Sequence, residues 1–153
     1  MTGTYDLYTR LTKRPLGPQV FSLLYAFKAP YFRTVRPHVR SMEPHHAEVV
    51  VPLRWSVKNH IGTLHAIAAL NGLEAAMGLL AEATCPDEKR WIPVGMTVRY
   101  PAKSTTDLLC VAETDEVDWD LADVPVRVKA VRRDGVVAVE GVITIRISAR
   151  RKD

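Results

Sequence analysis

Glu74 is the residue in this chain most able to do chemistry. It stands inside a nearly apolar run, Ala66-Ile-Ala-Ala-Leu-Asn-Gly-Leu-Glu-Ala-Ala-Met-Gly-Leu-Leu-Ala-Glu-Ala83. A carboxylate among apolar neighbours is costly unless it finds partners, and such an environment makes a stronger general base. The bland alternative is a structural glutamate, hydrogen-bonded to a neighbour or exposed where two helices meet. Just ahead of the run lies Asn59-His60-Ile61-Gly62-Thr63. A loop that enters a buried helix presents free backbone N–H groups, which favour a developing negative charge. This suits the oxyanion of a carbonyl substrate, although every helix start needs some cap. The five histidines at 38, 45, 46, 60 and 65 form no HExxH motif and no cluster with cysteine, so no metal site is expected. Cys110 falls in a predicted strand and reads as a core residue rather than a nucleophile. There is no glycine-rich phosphate loop.

Arg33, Arg36 and Arg40 recur at spacings of three and four, just after Tyr31 and Phe32. A guanidinium offers a planar fork of donors, so the patch could meet phosphates. The alternative is a solvated face with local ion pairs. Zinc-finger spacing, a helix-turn-helix signal and an aromatic ribonucleoprotein motif are all missing, so no nucleic-acid partner is expected.

These residues need elements to position them. From Thr63 to about Ala83 there is no proline, and alanine and leucine dominate. The run predicts a helix roughly 30 Å long, with Thr63 as N-cap and Pro86 as terminator. Its few polar side chains imply burial nearly all round, and it is too polar to read as a membrane span. Asn71, Glu74, Gly78 and Glu82 share a sector about 80° wide. His65, Ala69, Gly72 and Ala76 lie opposite, where small side chains would admit a close sheet. An amphipathic helix is predicted from Pro18 to about Lys28, covering an end of the sheet or lidding an acyl channel. Strands are predicted over 46–55, 91–100, 108–116, 124–132 and 136–147. Pro52 marks an edge or a bulge, and Asp134-Gly135 signals a hairpin. The tail from Ser148 to Asp153 should fray.

The chain has 153 residues, 47% of them hydrophobic and 25% charged, which suits one α+β domain with a real core. A net charge of +4 permits an anionic partner without demanding one. Two cysteines are too few for a disulfide framework. The N-terminus shows no signal-peptide pattern, so a cytoplasmic protein is expected.

The run Asn59-xx-Gly62-xx-His65, with Glu74 nine residues after the histidine and Thr97-Val-Arg-Tyr100 on the following strand, resembles the hotdog-fold thioesterases of the PaaI-like group. Pro30-Tyr-Phe-Arg-Thr34 together with Asn59-His-Ile-Gly-Thr63 is most similar to an uncharacterised hotdog branch. The resemblance covers roughly residues 15 to 148. It implies a five-stranded antiparallel sheet around the central helix in a single domain with an N-terminal helical extension. It also implies a homodimer, or a dimer of dimers, with substrate at the subunit interface. Carried across, Glu74 activates water or attacks the thioester, and the Ala66 N–H polarises its carbonyl. Asn59 and Thr97 position water or substrate, Thr97 from the facing subunit. His60, Gly62, His65 and Asn71 would line the substrate, and Arg33, Arg36 and Arg40 would meet the phosphates of coenzyme A. Coenzyme A enters as part of the substrate, and no separate cofactor is implied. Ala66-Ile67 stands where the group has Gly-Gly, Glu74 where it has Asp, and Ser104-Thr-Thr-Asp107 where it has a Gly-Asp turn. Two functions follow: hydrolysis of acyl-CoA or acyl-carrier-protein thioesters, or a non-catalytic acyl-CoA-binding or regulatory role.

Overall fold

The structure, a computed structural model, describes residues 3–116, 119–120 and 122–150. Two helices, α1 (Gly3–Leu11) and α2 (Gly17–Lys28), lead through a short 3-10 turn to strand β1 (His38–Glu43). Strand β2 (His46–Val51) follows, and then the long helix α3 (Ala66–Thr84). Strands β3 (Lys89–Arg99), β4 (Leu108–Glu113), β5 (Asp123–Arg132) and β6 (Val137–Ala149) complete the chain. The strands form one antiparallel sheet in the order β1-β2-β4-β5-β6-β3.

The sheet has six strands rather than the expected five. The extra strand is β1, within a segment whose sequence shows mainly its arginines. A bulge between Val39 and Ser41 separates its two buried residues, Val39 and Met42, by three positions instead of two. Period-two alternation, the usual mark of a strand, is thereby erased. Strand β2 stops at Val51 rather than Trp55, because Pro52 has no N–H to give the ladder. Strand β4 stops at Glu113. Strand β6 continues past the expected fraying point, with Ser148 and Ala149 paired to Arg90 and Lys89. Residues 151–153 of the expected frayed tail lie outside the described residues. Asp134 and Gly135 turn the chain between β5 and β6, with Gly135 at φ 83°.

Helix α3 is buried over most of its length, as its composition requires. It has the length and the mean hydropathy, 1.3, of a membrane-crossing helix, yet 72% of that window is buried inside the fold. It is a core helix. Ala69, Gly72 and Ala76 are fully enclosed. A Cβ built on Gly72 would lie 2.5 Å from Val51 Cγ2 and 2.6 Å from Cys110 Sγ. The sheet therefore meets the helix backbone where β2 and β4 lie side by side. Cys110 is wholly buried there, and burial pushes its thiol up to about 12, which makes it inert near neutrality. Helix α2 closes the β1 edge: the Ser22 hydroxyl accepts the Val39 N–H at 2.9 Å and donates to Pro18 O at 2.8 Å.

Gly72→Ala tests this contact. In an exposed helix the change would stabilise by about 1 kcal/mol. Here overpacking should destabilise by about 1–3 kcal/mol, read as a lower midpoint in chemical denaturation.

Candidate functional site

The entry to α3 is built by hydrogen bonds at nearly every step. Asn59 Oδ1 accepts the N–H groups of Ile61 and Thr63, each at 3.1 Å, and its Nδ2 donates to Thr63 Oγ1 at 2.8 Å. The Asn59 N–H donates to Thr63 O at 2.9 Å, and Gly62, at φ 81°, returns an N–H to Asn59 O. A side chain at Gly62 would meet no neighbour within 4 Å, so the glycine is required by its backbone conformation alone. Leu64 N–H then donates to Ser104 O at 2.9 Å, and His65 N–H to Val57 O at 2.8 Å. The loop is a rigid mount, and both polar atoms of the Asn59 side chain help to hold it.

His65, not Thr63, is the N-cap. Its Nδ1 accepts the Ile67 N–H at 3.1 Å, which fixes Nδ1 as the unprotonated nitrogen. Thr63 is held back by Asn59, so the helix begins later than expected. Of the orphan donors in the first turn, Ile67 goes to His65 Nδ1 and Ala69 to His65 O. The N–H groups of Ala66 and Ala68 have no acceptor among the described residues. Ala66 is partly exposed, so its N–H is the one a bound carbonyl could reach.

From there an open stripe runs along α3 through Ile67, Leu70 and Glu74. Ile67 is exposed, and Leu70 and Glu74 are half-buried. The helix was expected to be buried nearly all round, and this stripe is where the single chain leaves it open. Further along, the expected polar seam is covered from within. At Gly78 a Cβ would lie 3.4 Å from the Trp91 ring and 3.5 Å from Tyr25 Oη. Tyr25 donates to Ala75 O at 3.4 Å. Burial, with Glu82 and Glu74 close by, pushes its phenol far up and keeps it a hydrogen-bond donor. Tyr25 is a neighbour of Glu74 that the sequence did not point to, since it arrives from a helix 49 positions earlier. Asn71 is buried on the same side, and its amide has no hydrogen-bond partner among the described residues.

Thr97 is not brought to this stripe. Trp91 and Pro93 pair with the core residues Ile147 and Ile145, but a bulge at Val94 shifts the phase. Met96 then pairs with Ile143 on the core side, and Thr97 pairs with Val142 on the outer side. Thr97 accordingly lines a shallow groove of the outer face with Arg99, Arg127 and Glu140. Simple alternation from Trp91 would have turned it inward. His60 is exposed on the entry loop.

The arginines divide. Arg40 is exposed on β1. Arg33 and Arg36 line a cleft between α2 and the start of β1, where the Arg33 guanidinium lies 5.0 Å over the Phe27 ring. Arg54 joins them from the end of the β2 connection by donating to Thr34 O at 3.2 Å. No hydrogen bond or ion pair links this cluster to Glu74 among the described residues. Those residues also contain no group of three or more histidine, cysteine, aspartate or glutamate side chains placed to hold a metal.

A curved antiparallel sheet around one long central helix defines the hotdog fold. The family model described as Domain of unknown function (DUF4442) matches residues 17–147, and the chain belongs to that family. One solved structural-genomics protein is 36% identical, with a TM-score of 0.86 over 97% of this chain and 100% of its own. A Pseudomonas aeruginosa protein of unknown function, described as a probable thioesterase, is 19% identical, with a TM-score of 0.77 over 87% of this chain and 97% of its own. A thioesterase family protein from Silicibacter pomeroyi is 17% identical, with a TM-score of 0.73 over 84% and 96%. The likeness to these last two is one of fold. No curated protein matches the sequence.

The cap can be tested directly. His65→Ala should cost about 1 kcal/mol of stability, whereas His65→Asn, whose side-chain oxygen can accept the same N–H, should keep most of it. Thermal midpoints of the two variants give the comparison.

Proposed function

We propose that this protein is an acyl-thioester hydrolase that works as a homodimer on acyl-CoA or acyl-carrier-protein substrates. The observation that carries the reading is the open stripe of α3, which presents an unpaired N–H at Ala66 and a carboxylate at Glu74 beside apolar surface. Relatives of the same fold described as thioesterases support it. In the reaction Glu74 takes a proton from water as the water oxygen attacks the thioester carbon. The Ala66 N–H, at the positive end of α3, stabilises the oxyanion. The tetrahedral centre collapses, the C–S bond breaks, and the leaving thiolate takes up the proton that Glu74 received from water.

The two groups do not meet within one chain. Glu74 lies eight residues after Ala66, roughly 12 Å along the helix axis. A carbonyl within about 3 Å of the Ala66 N–H is therefore beyond reach of a water held by the same chain's Glu74. Two copies related by a two-fold axis would place Ala66 of one opposite Glu74 of the other, twice. Strand β3 supports such pairing. It is a sheet edge, and residues 92–97 are exposed on both faces, including Ile92, Val94 and Met96. A long apolar edge is a template for a further strand.

A second reading rests on Ile67. Its side chain is 52% exposed at the helix start and stands where a bound thioester would approach. This favours a protein that binds acyl-CoA without hydrolysing it. Thiol release from a panel of acyl-CoAs, with thermal stabilisation by a non-hydrolysable analogue, separates the two. Binding without turnover selects the second.

Two variants test the hydrolase. Glu74→Gln should lower turnover about a hundredfold or more while substrate binding is largely kept. Ala66→Pro removes the proposed oxyanion donor at the first helical position, where proline is tolerated, and should lower turnover similarly. Mixing the two inactive variants should restore activity well above either parent, because a mixed dimer holds one site with Ala66 and Glu74 both intact. Full activity in folded Glu74→Gln, or no restoration on mixing, overturns the shared site.

A further inference from the structure

The cleft between α2 and β1 has a volume of about 810 Å³ and lies apart from the Glu74 stripe, within the range of small-molecule sites. Its walls are Leu23, Ala26, Phe27, Pro30 and Pro37. Leu23 is 59% exposed, an unusual setting for a leucine beside further exposed apolar side chains of the same helix, Val20, Leu24 and Phe27. At one end the wall changes character, to Arg33 and Arg36. Arg54 stands behind them through its bond to Thr34 O, and its Nε is buried without a hydrogen-bond partner.

Two features say that this end expects an anion. First, among the described residues none of Arg33, Arg36 and Arg54 forms an ion pair, whereas Arg99, Arg127, Arg132, Arg133 and Arg146 of the sheet each have a carboxylate. Second, Arg36 and Arg54 are close enough that, after burial, the charge of Arg36 is what disfavours the protonated form of Arg54. Like charges held together without a counter-ion are unfavourable unless a ligand supplies one. The left-handed φ of 48° at Arg36 belongs to the end of the 3-10 turn, where its N–H bonds back to Phe32 O at 3.1 Å.

We infer that this cleft is a second binding site for a single-chain anionic amphiphile, a medium- or long-chain carboxylate. Its hydrocarbon lies along Leu23, Ala26 and Phe27, and its head is held by the forks of Arg33 and Arg36. An alkyl chain matches the apolar wall, and a carboxylate matches the guanidinium fork. This gives Arg33 and Arg36 to the second site instead of to the coenzyme A phosphates that the resemblance implied for them, and the site is independent of the proposed hydrolysis.

Titration calorimetry of laurate, kept below its micellar concentration, into the full chain tests the assignment. Saturable binding is expected. It should weaken about tenfold or more in Leu23→Glu, which sets a carboxylate on an already exposed wall position, and in the double variant Arg33→Gln/Arg36→Gln. The neutral primary amide of laurate should bind far more weakly, and acetate not measurably. Glu74→Gln and Ala66→Pro should leave laurate affinity unchanged, so this test stands or falls apart from the hydrolase. Thermal midpoints confirm that each variant is folded. Laurate affinity unchanged in both cleft variants, or lost in Glu74→Gln and Ala66→Pro instead, overturns the inference. Binding of dodecyl phosphate without laurate also overturns it.

Discussion

The missing side chain at Gly72 is the constraint on which the arrangement depends. It lets α3 settle against Val51 and Cys110, so the tightest packing falls on one side of the helix. Everything on the opposite side follows from that placement. The C-terminal half of that side is closed by Tyr25 and Trp91, which reach the backbone at Gly78. The N-terminal half is left open along Ile67, Leu70 and Glu74. A bulkier residue at position 72 would lift the helix and disturb the Asn59 loop, the His65 cap and the stripe together, because all three are referenced to the same axis.

Charge is distributed with a similar logic. On the outer face of the sheet, arginines and acids are matched: Arg127 with Asp115, Arg146 with Asp123, Arg99 with Glu140. Such exposed pairs add little stability individually, but they leave that face electrically quiet. The arginines around the α2 cleft lack this matching. At that cleft, unpaired positive charge stands beside apolar surface. That combination suits amphiphiles better than nucleic acids, whose recognition calls for a basic surface with interleaved aromatics or a groove-reading element.

Much of the fold was legible in the sequence. The Ala/Leu run, the Pro86 stop, the Asp134-Gly135 turn and the alternation of Val126, Val128 and Ala130 each have a local cause that survives folding. What the sequence concealed were features set between segments. Strand β1 was hidden by its bulge at Arg40, and the cap passed from Thr63 to His65 because Asn59 claimed the threonine. Tyr25 reached Glu74 across a turn of tertiary structure. Asn59 was legible as important, and its bonds to the Ile61 and Thr63 N–H groups, which brace the loop, were not. The bulge at Val94, which sets the face that Thr97 takes within the single chain, left no mark in the sequence. The arginine triplet was visible, but Arg54 lay in what read as a strand and showed no sign of belonging with it.

The bulge at Val94 has a meaning for the relatives of this chain. One inserted residue in β3 exchanges the faces of everything beyond it, so Met96 looks toward the helix and Thr97 away. In a relative that lacks the insertion, a threonine aligned with Thr97 would occupy the inner face, and its outer neighbours would differ as well. Two hotdog proteins can therefore share a residue by position while placing it in opposite solvents. On this edge, the face that a motif residue takes is set by the number of residues ahead of it in the strand.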